Sequence, residues 1–268
     1  MNTLDTSTPA RESNLLRALV DLRDLQLQKA RIQFGNRVNA AALGTDDTSP
    51  RQDTLTARYF DLFQRIEDDI TSDIAVLIRA YPVYDHVSAL RGIGPTLSAK
   101  LIALIGDIST FDNASKLWRF AGYGTVPDPK YAPDGDDSNS TSDVNMDTGE
   151  YIAEPVPRIA ERAVKGEKLH YNRRLKVALY LVATSFMRSR SPYKALYDNA
   201  RVKYDRTHPE WTLLHKHRAA LRIMIKVFLT HLWKRWRTLE GLPTTDLYVE
   251  SHLGHTTIYQ PEDYGWPN

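Results

Sequence analysis

The sequence contains no cysteine, and this absence excludes several kinds of chemistry. Without thiols there are no disulfides, thiolate zinc sites, iron–sulfur clusters or cysteine nucleophiles. The polar start of the sequence lacks the apolar core of a secretory signal, and there is no run of about 18 apolar residues that would span a membrane. We therefore expect a cytoplasmic protein in a reducing compartment, with no membrane partner.

The charge is nearly balanced overall but very uneven along the chain. Of 268 residues, 35 are Lys or Arg and 33 are Asp or Glu, which gives a formal net charge of +2. Residues 128–157 hold eight acids and one base (net −7), whereas residues 158–240 hold 20 bases and six acids (net +14). A charged run is usually a solvated face, but a positive excess of this size favours a polyanionic partner. The acidic segment is expected to shield the basic one.

Apolar periodicity predicts a mostly α protein, with no convincing strand. Two helices, about residues 14–42 and 53–80, predict a long antiparallel helical hairpin; internal packing and dimerisation as a coiled coil both remain open for it. The expected apolar stripes of these helices are Leu15, Ala18, Leu22, Leu25 and Ile32, then Leu55, Tyr59, Leu62, Ile66, Ile70, Ile74 and Leu77.

Breaks in composition predict the domain organisation. A helical domain containing a helix-hairpin-helix and an acidic loop insertion should follow the hairpin. The predicted stripes of its two long basic helices are Leu175, Leu179, Val182 and Phe186, then Leu214, Leu221, Ile225, Phe228 and Leu232. The predicted segments are a flexible tail (1–12), the hairpin (13–82), the helix-hairpin-helix (83–126), the acidic insertion (127–157), the basic helical block (158–240) and a C-terminal tail (241–268) that packs back on the body.

The most specific local motif is the sequence LRGIGPTLSAKLI at residues 90–102. Two glycines permit a tight turn, Ile93 anchors it, and Pro95 suits the first position of the following helix. The free amides at such a helix start can bind a phosphate oxygen, which positions DNA without reading its sequence. We expect both Gly92 and Gly94 to tolerate valine in the fold while losing DNA affinity; the alternative is a purely structural turn.

Basic residues beside the apolar stripes add further candidate DNA contacts. A cluster of Lys234, Arg235 and Arg237 interleaves with Trp233 and Trp236 near the end of the last helix. The predicted DNA-binding residues are Arg91, Gly92, Ile93, Gly94, Thr96, Lys100, Arg173, Arg174, Lys176, Lys216, Arg218, Arg222 and Lys226.

Residues 87–240 resemble the carboxy-terminal transposase domain of the insertion-sequence one-ten family, the bridge-RNA-guided DNA recombinases. The resemblance rests on residues 87–95 (VSALRGIGP), 101–108 (LIALIGDI) with Phe111, 117–122 (LWRFAG) and 172–176 (NRRLK). The preceding hairpin resembles the coiled-coil connector of that family. The resemblance implies DNA as partner, RNA as a further candidate partner, and a homodimer.

Two departures from the family argue against independent catalysis. The segment before residue 83 has no room for the family's ribonuclease-H-like domain. The family's nucleophilic serine precedes a glycine, whereas the weak candidates Ser138, Ser140 and Ser142 do not, and no neighbouring base would activate them. We therefore predict no cofactor; Mg²⁺ would be needed only by a catalytic form. The scattered histidines indicate no metal site.

Two other classes of protein remain as alternatives. The order of Arg218, His255 and Tyr264 resembles part of a tyrosine recombinase site, in which Arg and His hold the scissile phosphate and Tyr attacks it. Such a site requires the three side chains to converge on one phosphate. The second alternative is a non-enzymatic helical dimer that serves as a scaffold.

Overall fold

The computed structural model describes residues 7–45, 49–127, 158–160, 166, 169–245 and 259–267. The prediction of a mostly α protein is confirmed. The helices are α1 (Ser7–Leu22), α2 (Gln28–Ala42), α3 (Pro50–Leu77), α4 (Val83–Ser88), α5 (Pro95–Ile105), α6 (Ala114–Phe120), α7 (Arg173–Ser189), α8 (Lys194–Thr207) and α9 (Leu213–Leu239). No helix in these ranges is both long and apolar enough to cross a bilayer.

The first helix begins at Ser7, within the predicted flexible tail, and joins α2 through a π-helical turn at Arg23–Leu27. Its buried residues are Leu16 and Val20, whereas Leu15, Leu25 and Ile32 of the expected stripe are exposed. Of the predicted stripe, Leu22 packs against the core, but most of its residues do not face the body of the protein. The heptad pattern selects a face but not its partner, and the wider π turn shifts the register after Leu22.

The helix α3 pairs antiparallel with this first helical unit. Its start is fixed by a capping box, in which Ser49 and Gln52 exchange hydrogen bonds. The Arg23 guanidinium donates to Thr71 Oγ1 at 3.0 Å, and the Arg31 guanidinium donates to Glu67 at 2.6 Å. The later residue of the first unit thus contacts the earlier residue of α3, which shows that the two helices run antiparallel as a hairpin.

The outer part of this hairpin has no core of its own. No described side chain between residues 21 and 66 is fully buried. Ile70 and Ile74 of the predicted α3 stripe are buried against the body, but Leu55, Tyr59 and Leu62 are 42–46% exposed. We call this projecting part, residues 21–66, the two-helix arm.

The core lies where α4–α7 and α9 meet. The predicted stripe of α7 is confirmed, because Leu175, Leu179, Val182 and Phe186 are all fully buried. Four of the five predicted stripe residues of α9 are also buried, whereas Leu214 is exposed at its first turn. Leu214 precedes the section of α9 that packs on the body, so the apolar pattern starts about two turns before the core does.

Two short strands correct the expectation that the chain has none. Strand β1 (Thr125–Pro127) pairs antiparallel with β2 (Arg158–Ala160). Three residues per strand are too few for a period-2 pattern to be visible in the sequence. The pairing brings together the two chain ends that flank the acidic insertion, which itself lies outside the described residues.

The end of α9 buries Arg237 of the predicted basic cluster, whereas Lys234 stays exposed. Trp233, Trp236 and Arg237 are each at most 4% exposed. The Arg237 guanidinium donates to the carbonyl oxygens of Pro243, Ile108, Ser109 and Phe111. The interleaved Trp and Arg pattern is therefore a buried hydrogen-bond anchor, which corrects the predicted basic cluster at this position.

Residues 259–267 pack back on the body through a buried hydrogen-bond chain. The Trp266 indole donates to the Tyr193 hydroxyl, which lies 2.7 Å from His231 Nδ1. His231 Nε2 lies 2.7 Å from the Tyr259 carbonyl oxygen. Burial lowers the pKa of His231 to about 4, so the ring is neutral near pH 7 and can bridge these partners.

Candidate functional site

The turn between α4 and α5 is fixed by Gly92. Its φ of +103° lies in the region that disfavours side chains, and a Cβ would meet Ser189 Oγ at 2.5 Å and the Ser185 carbonyl oxygen at 3.3 Å. The Ser185 hydroxyl also donates to the Gly92 carbonyl. Ile93 is buried beside it. Gly92 and Ile93 therefore hold the turn against α7, and the expectation that Gly92 tolerates valine is not supported.

Gly94 occupies a different environment. Its backbone is extended, at φ −91° and ψ 173°, and a Cβ would meet nothing within 4 Å. Arg91 and Thr96 are also exposed. Pro95 has no N–H, and the Leu97 amide donates to the Gly94 carbonyl oxygen at 3.1 Å. The Gly94 and Thr96 amides are therefore the donors that remain for an anion at this end of α5, together with the partial positive charge of the helix start. The exposed half of the turn thus consists of Arg91, Gly94 and Thr96.

Two predicted DNA-binding cations are neutralised by the first helical unit. Lys100 Nζ lies 2.7 Å from Asp24 Oδ2, and the Arg174 guanidinium forms an ion pair with Asp21. Asp24 also pairs with Arg23, which in turn reaches Glu67. These half-buried pairs fasten the base of the two-helix arm to α5 and α7. Lys100 and Arg174 therefore act in tertiary packing.

One face of α9 carries three of the predicted cations. Arg218 is exposed, and Arg222 donates to the Tyr123 and Gly124 carbonyl oxygens at 2.6 Å. Burial lowers the pKa of the Arg222 guanidinium. Lys226 Nζ lies 3.9 Å from the centre of the Trp118 ring, a cation–π contact.

The environment of Lys226 also perturbs its titration. Burial, followed by the charge of Arg222, lowers the pKa of Lys226 to about 8. The ammonium is then largely charged at pH 7 but loses its proton readily in alkaline buffer. An approaching anion would favour the charged form, because an opposite charge stabilises it.

The remaining predicted cations differ in accessibility. Arg173 is exposed, and Lys176 Nζ lies 4.4 Å from the centre of the Tyr171 ring. Lys216 is 6% exposed, with its Nζ 3.1 Å from Asp205 Oδ1. These residues were predicted from the clustering of basic residues in the sequence, which cannot tell which of them point towards an acid from another helix.

Sequence reasoning missed an aromatic cluster where α8 turns into α9. Trp211 lies between two histidines, with its ring centre 4.0 Å from that of His208 and 4.1 Å from that of His215. The interplanar angles are 6° and 3°, so the three rings are parallel. Spacings of three and four residues would put these side chains on one face of a helix. The spacing did not reveal the cluster in the sequence, because His208 and Trp211 lie in the loop between α8 and α9 and no single helix contains all three residues.

The tyrosine-recombinase-like arrangement is not assembled. Tyr264 packs 5.2 Å from His231, ring centre to ring centre. His231 follows Arg218 by 13 residues on the continuous α9, which places them about 20 Å apart along the axis and about 140° apart around it. Burial raises the pKa of Tyr264 to about 12, which opposes nucleophilic activation. His255, and the serine candidates Ser138, Ser140 and Ser142, lie outside the described residues.

Residues 84–128 match the family model described as Transposase IS116/IS110/IS902 family. The matched segment runs from α4 through the glycine turn, α5 and α6 to the end of β1. The predicted resemblance is thereby confirmed over this segment, which is similar to the transposase domain of that family. No curated protein matches the chain significantly. Within the described ranges, no group of three or more His, Asp or Glu side chains could hold a metal ion.

Proposed function

We propose that this transposase-like protein binds the DNA backbone through the exposed start of α5 and the cationic face of α9. The observation that carries the proposal is the geometry of Gly94: the family-matched turn presents an open helix start, with no side chain to hinder a phosphate. Backbone amides and the helix dipole favour an anion there. Such contacts position DNA and contribute no sequence preference of their own.

We assign different roles to the nine cations among the thirteen predicted residues, according to their exposure and ion pairs. Arg91, Arg173 and Arg218 are exposed and form no ion pair with another described residue, so we assign them the direct phosphate contacts. Arg222, Lys226 and Lys176 are half-buried and form the edge of the surface. Lys100, Arg174 and Lys216 are paired with acids, and each would have to give up an ion pair before it could contact DNA.

Substitution of Gly94 by valine tests this proposal. We expect G94V to weaken binding to a short DNA duplex about tenfold, because a branched side chain would obstruct phosphate access to the α5 amides. Fluorescence anisotropy over a range of salt concentrations measures the change. A matched control is A42V, which adds the same branched side chain at the exposed end of α2. Equal affinity of folded G94V and A42V would reject the role of the turn.

We further propose that the two-helix arm associates with a second copy of the chain. Leu55, Tyr59 and Leu62 repeat at intervals of four and three residues, so they share one side of α3, and all three are exposed. An isolated pair of helices without buried side chains is marginally stable in water. Association of two arms would bury this apolar stripe, in the manner of a coiled coil.

The proposed dimer is tested by the double substitution L55E/L62E. We expect it to convert a dimer into a monomer, because two carboxylates in an apolar seam would be buried without partners. Sedimentation equilibrium measures the mass. The control T54E/S72E places the same charge at two exposed polar positions of α3 and should leave the mass unchanged. A monomeric unsubstituted protein at tens of micromolar would contradict the proposal.

A further inference from the structure

The three parallel rings at the α8–α9 corner form a column with a defined order. Both histidines have their ring centres within about 4 Å of the indole centre. Two rings so close to the same centre would overlap if they shared a face, so they cover opposite faces of Trp211. The order is therefore His208, Trp211, His215. We call these three residues the ring column.

The ring column lies at the surface. His215 is exposed, and the His208 side chain is 40% exposed. Tyr204 supports the column from α8, with its ring centre 5.3 Å from that of Trp211. A flat aromatic ring can therefore stack on the column at the face of His215 that points away from Trp211.

Cations continue from the ring column along α9. His215, Arg218, Arg222 and Lys226 are separated by three, four and four residues, which places them on one face of the helix. The stretch from His215 to Lys226 is about 16 Å long at 1.5 Å per residue. Arg218 is exposed at its near end, and Arg222 and Lys226 lie beside Tyr123 and Trp118 at its far end. Aromatic rings and cations therefore form one continuous track.

The charges around the column suit an anionic chain. Lys203 and Arg206 of α8 are exposed and, like Arg218, form no ion pair within the part of the chain that the structure describes. The nearby acids are already engaged: Glu210 lies 3.3 Å from His208 Nδ1, and Asp205 pairs with Lys216. A ligand that combines flat rings with negative charges at short intervals matches both features.

We propose that the ring column binds an unpaired nucleobase of a single-stranded nucleic acid, whose phosphates follow the cations of α9. This inference deepens the proposed DNA-binding function and rests on it. Every base has a π face, so stacking tolerates any sequence. Bases within a duplex have both faces covered by their neighbours, and the column therefore recognises an unpaired base. Single-stranded DNA and RNA share this chemistry.

The test compares three fluorescently labelled probes by anisotropy: a thymidine oligonucleotide, an oligonucleotide of the same length with abasic sites, and a DNA duplex. We expect W211A and H215A to weaken binding of the thymidine probe about tenfold. Binding of the abasic probe and of the duplex should change less than twofold, because the phosphate contacts remain. The control Y180A removes an exposed aromatic ring from α7 and should alter none of the three affinities.

Each other outcome would overturn the inference. Unchanged affinity of H215A for the thymidine probe would mean that no base stacks on the column. An equal loss of affinity for all three probes would mean that the column only shapes the α8–α9 corner. W211F keeps a flat ring and should retain most of the affinity, so its failure in a folded protein would also reject stacking. An oligoribonucleotide probe separates RNA from DNA as the source of the base.

The same measurements separate this inference from the proposed function. Duplex binding that depends on Gly94 but not on the ring column supports the proposed DNA-binding surface. If H215A then leaves the affinity for the thymidine probe unchanged, the base site is rejected while the DNA-binding surface stands. Loss of base-dependent binding in H215A, together with no duplex binding by the unsubstituted protein, would reject the DNA-binding surface and leave a single-strand site.

Discussion

Replacement of Gly92 by valine is expected to lower the free energy of unfolding by about 3 kcal/mol. The φ of +103° is strained for a branched residue, and the new Cβ would meet Ser189 Oγ at 2.5 Å. Relief of this clash would push the turn away from α7 and break the hydrogen bond from Ser185 to the Gly92 carbonyl. Urea denaturation followed by circular dichroism measures the loss.

The neighbouring glycine provides the control for this prediction. G94V places the same side chain in extended backbone and open space, so its free energy of unfolding should stay within about 0.5 kcal/mol of the unsubstituted protein. The two glycines then have separable roles: Gly92 in stability and Gly94 in DNA affinity. Equal stability of G92V and G94V would contradict the assigned role of Gly92.

Removal of the Arg237 guanidinium should have a comparably large effect. R237L keeps an apolar side chain in the core but removes this donor from the buried carbonyl oxygens of Ile108 and Phe111. Loss of charge-assisted hydrogen bonds to buried acceptors predicts a loss of about 3 kcal/mol in the free energy of unfolding. The melting temperature and the urea midpoint should both fall.

Two companion variants define what Arg237 contributes. K234L removes a positive charge from an exposed position of the same helix and should change stability by less than about 0.5 kcal/mol. R237K keeps the charge but lacks the planar guanidinium that reaches several carbonyl oxygens. Its free energy of unfolding should therefore lie between those of R237L and K234L. If R237L were as stable as K234L, the hydrogen-bond anchor at the end of α9 would contribute nothing measurable.

The family-specific turn could be predicted from the sequence because it depends on local chemistry. The alternation of Gly, Ile, Gly and Pro specifies a tight turn followed by a helix start, whatever surrounds it. The four buried residues of α7 were likewise predictable, since a helix packed along its whole length must repeat its apolar face every three to four residues. The uneven charge along the chain is a direct property of the sequence.

The two glycines of the turn illustrate where local chemistry is insufficient. Both satisfy the same sequence requirement, yet only Gly92 contacts Ser185 and Ser189 of α7, which lie more than 90 residues further along the chain. The same reason explains Arg237: its spacing within a basic, Trp-containing segment is typical of a nucleic-acid surface. Its actual acceptors lie in the loop after α5 and beyond the end of α9.

The sequence by itself determined the helical class, the transposase-family turn and the location of the basic segment. The tertiary structure decided which side of the first helix is buried, and which cations remain accessible to a ligand. Lys100 forms an ion pair with Asp24 and Arg174 forms one with Asp21, so neither cation is free to bind a ligand. The two aspartates belong to the first helical unit, which is distant in sequence. The physical reason is that the apolar repeat of a helix indicates which face of that one helix is apolar. Burial and ion pairing depend on the second element that covers that face.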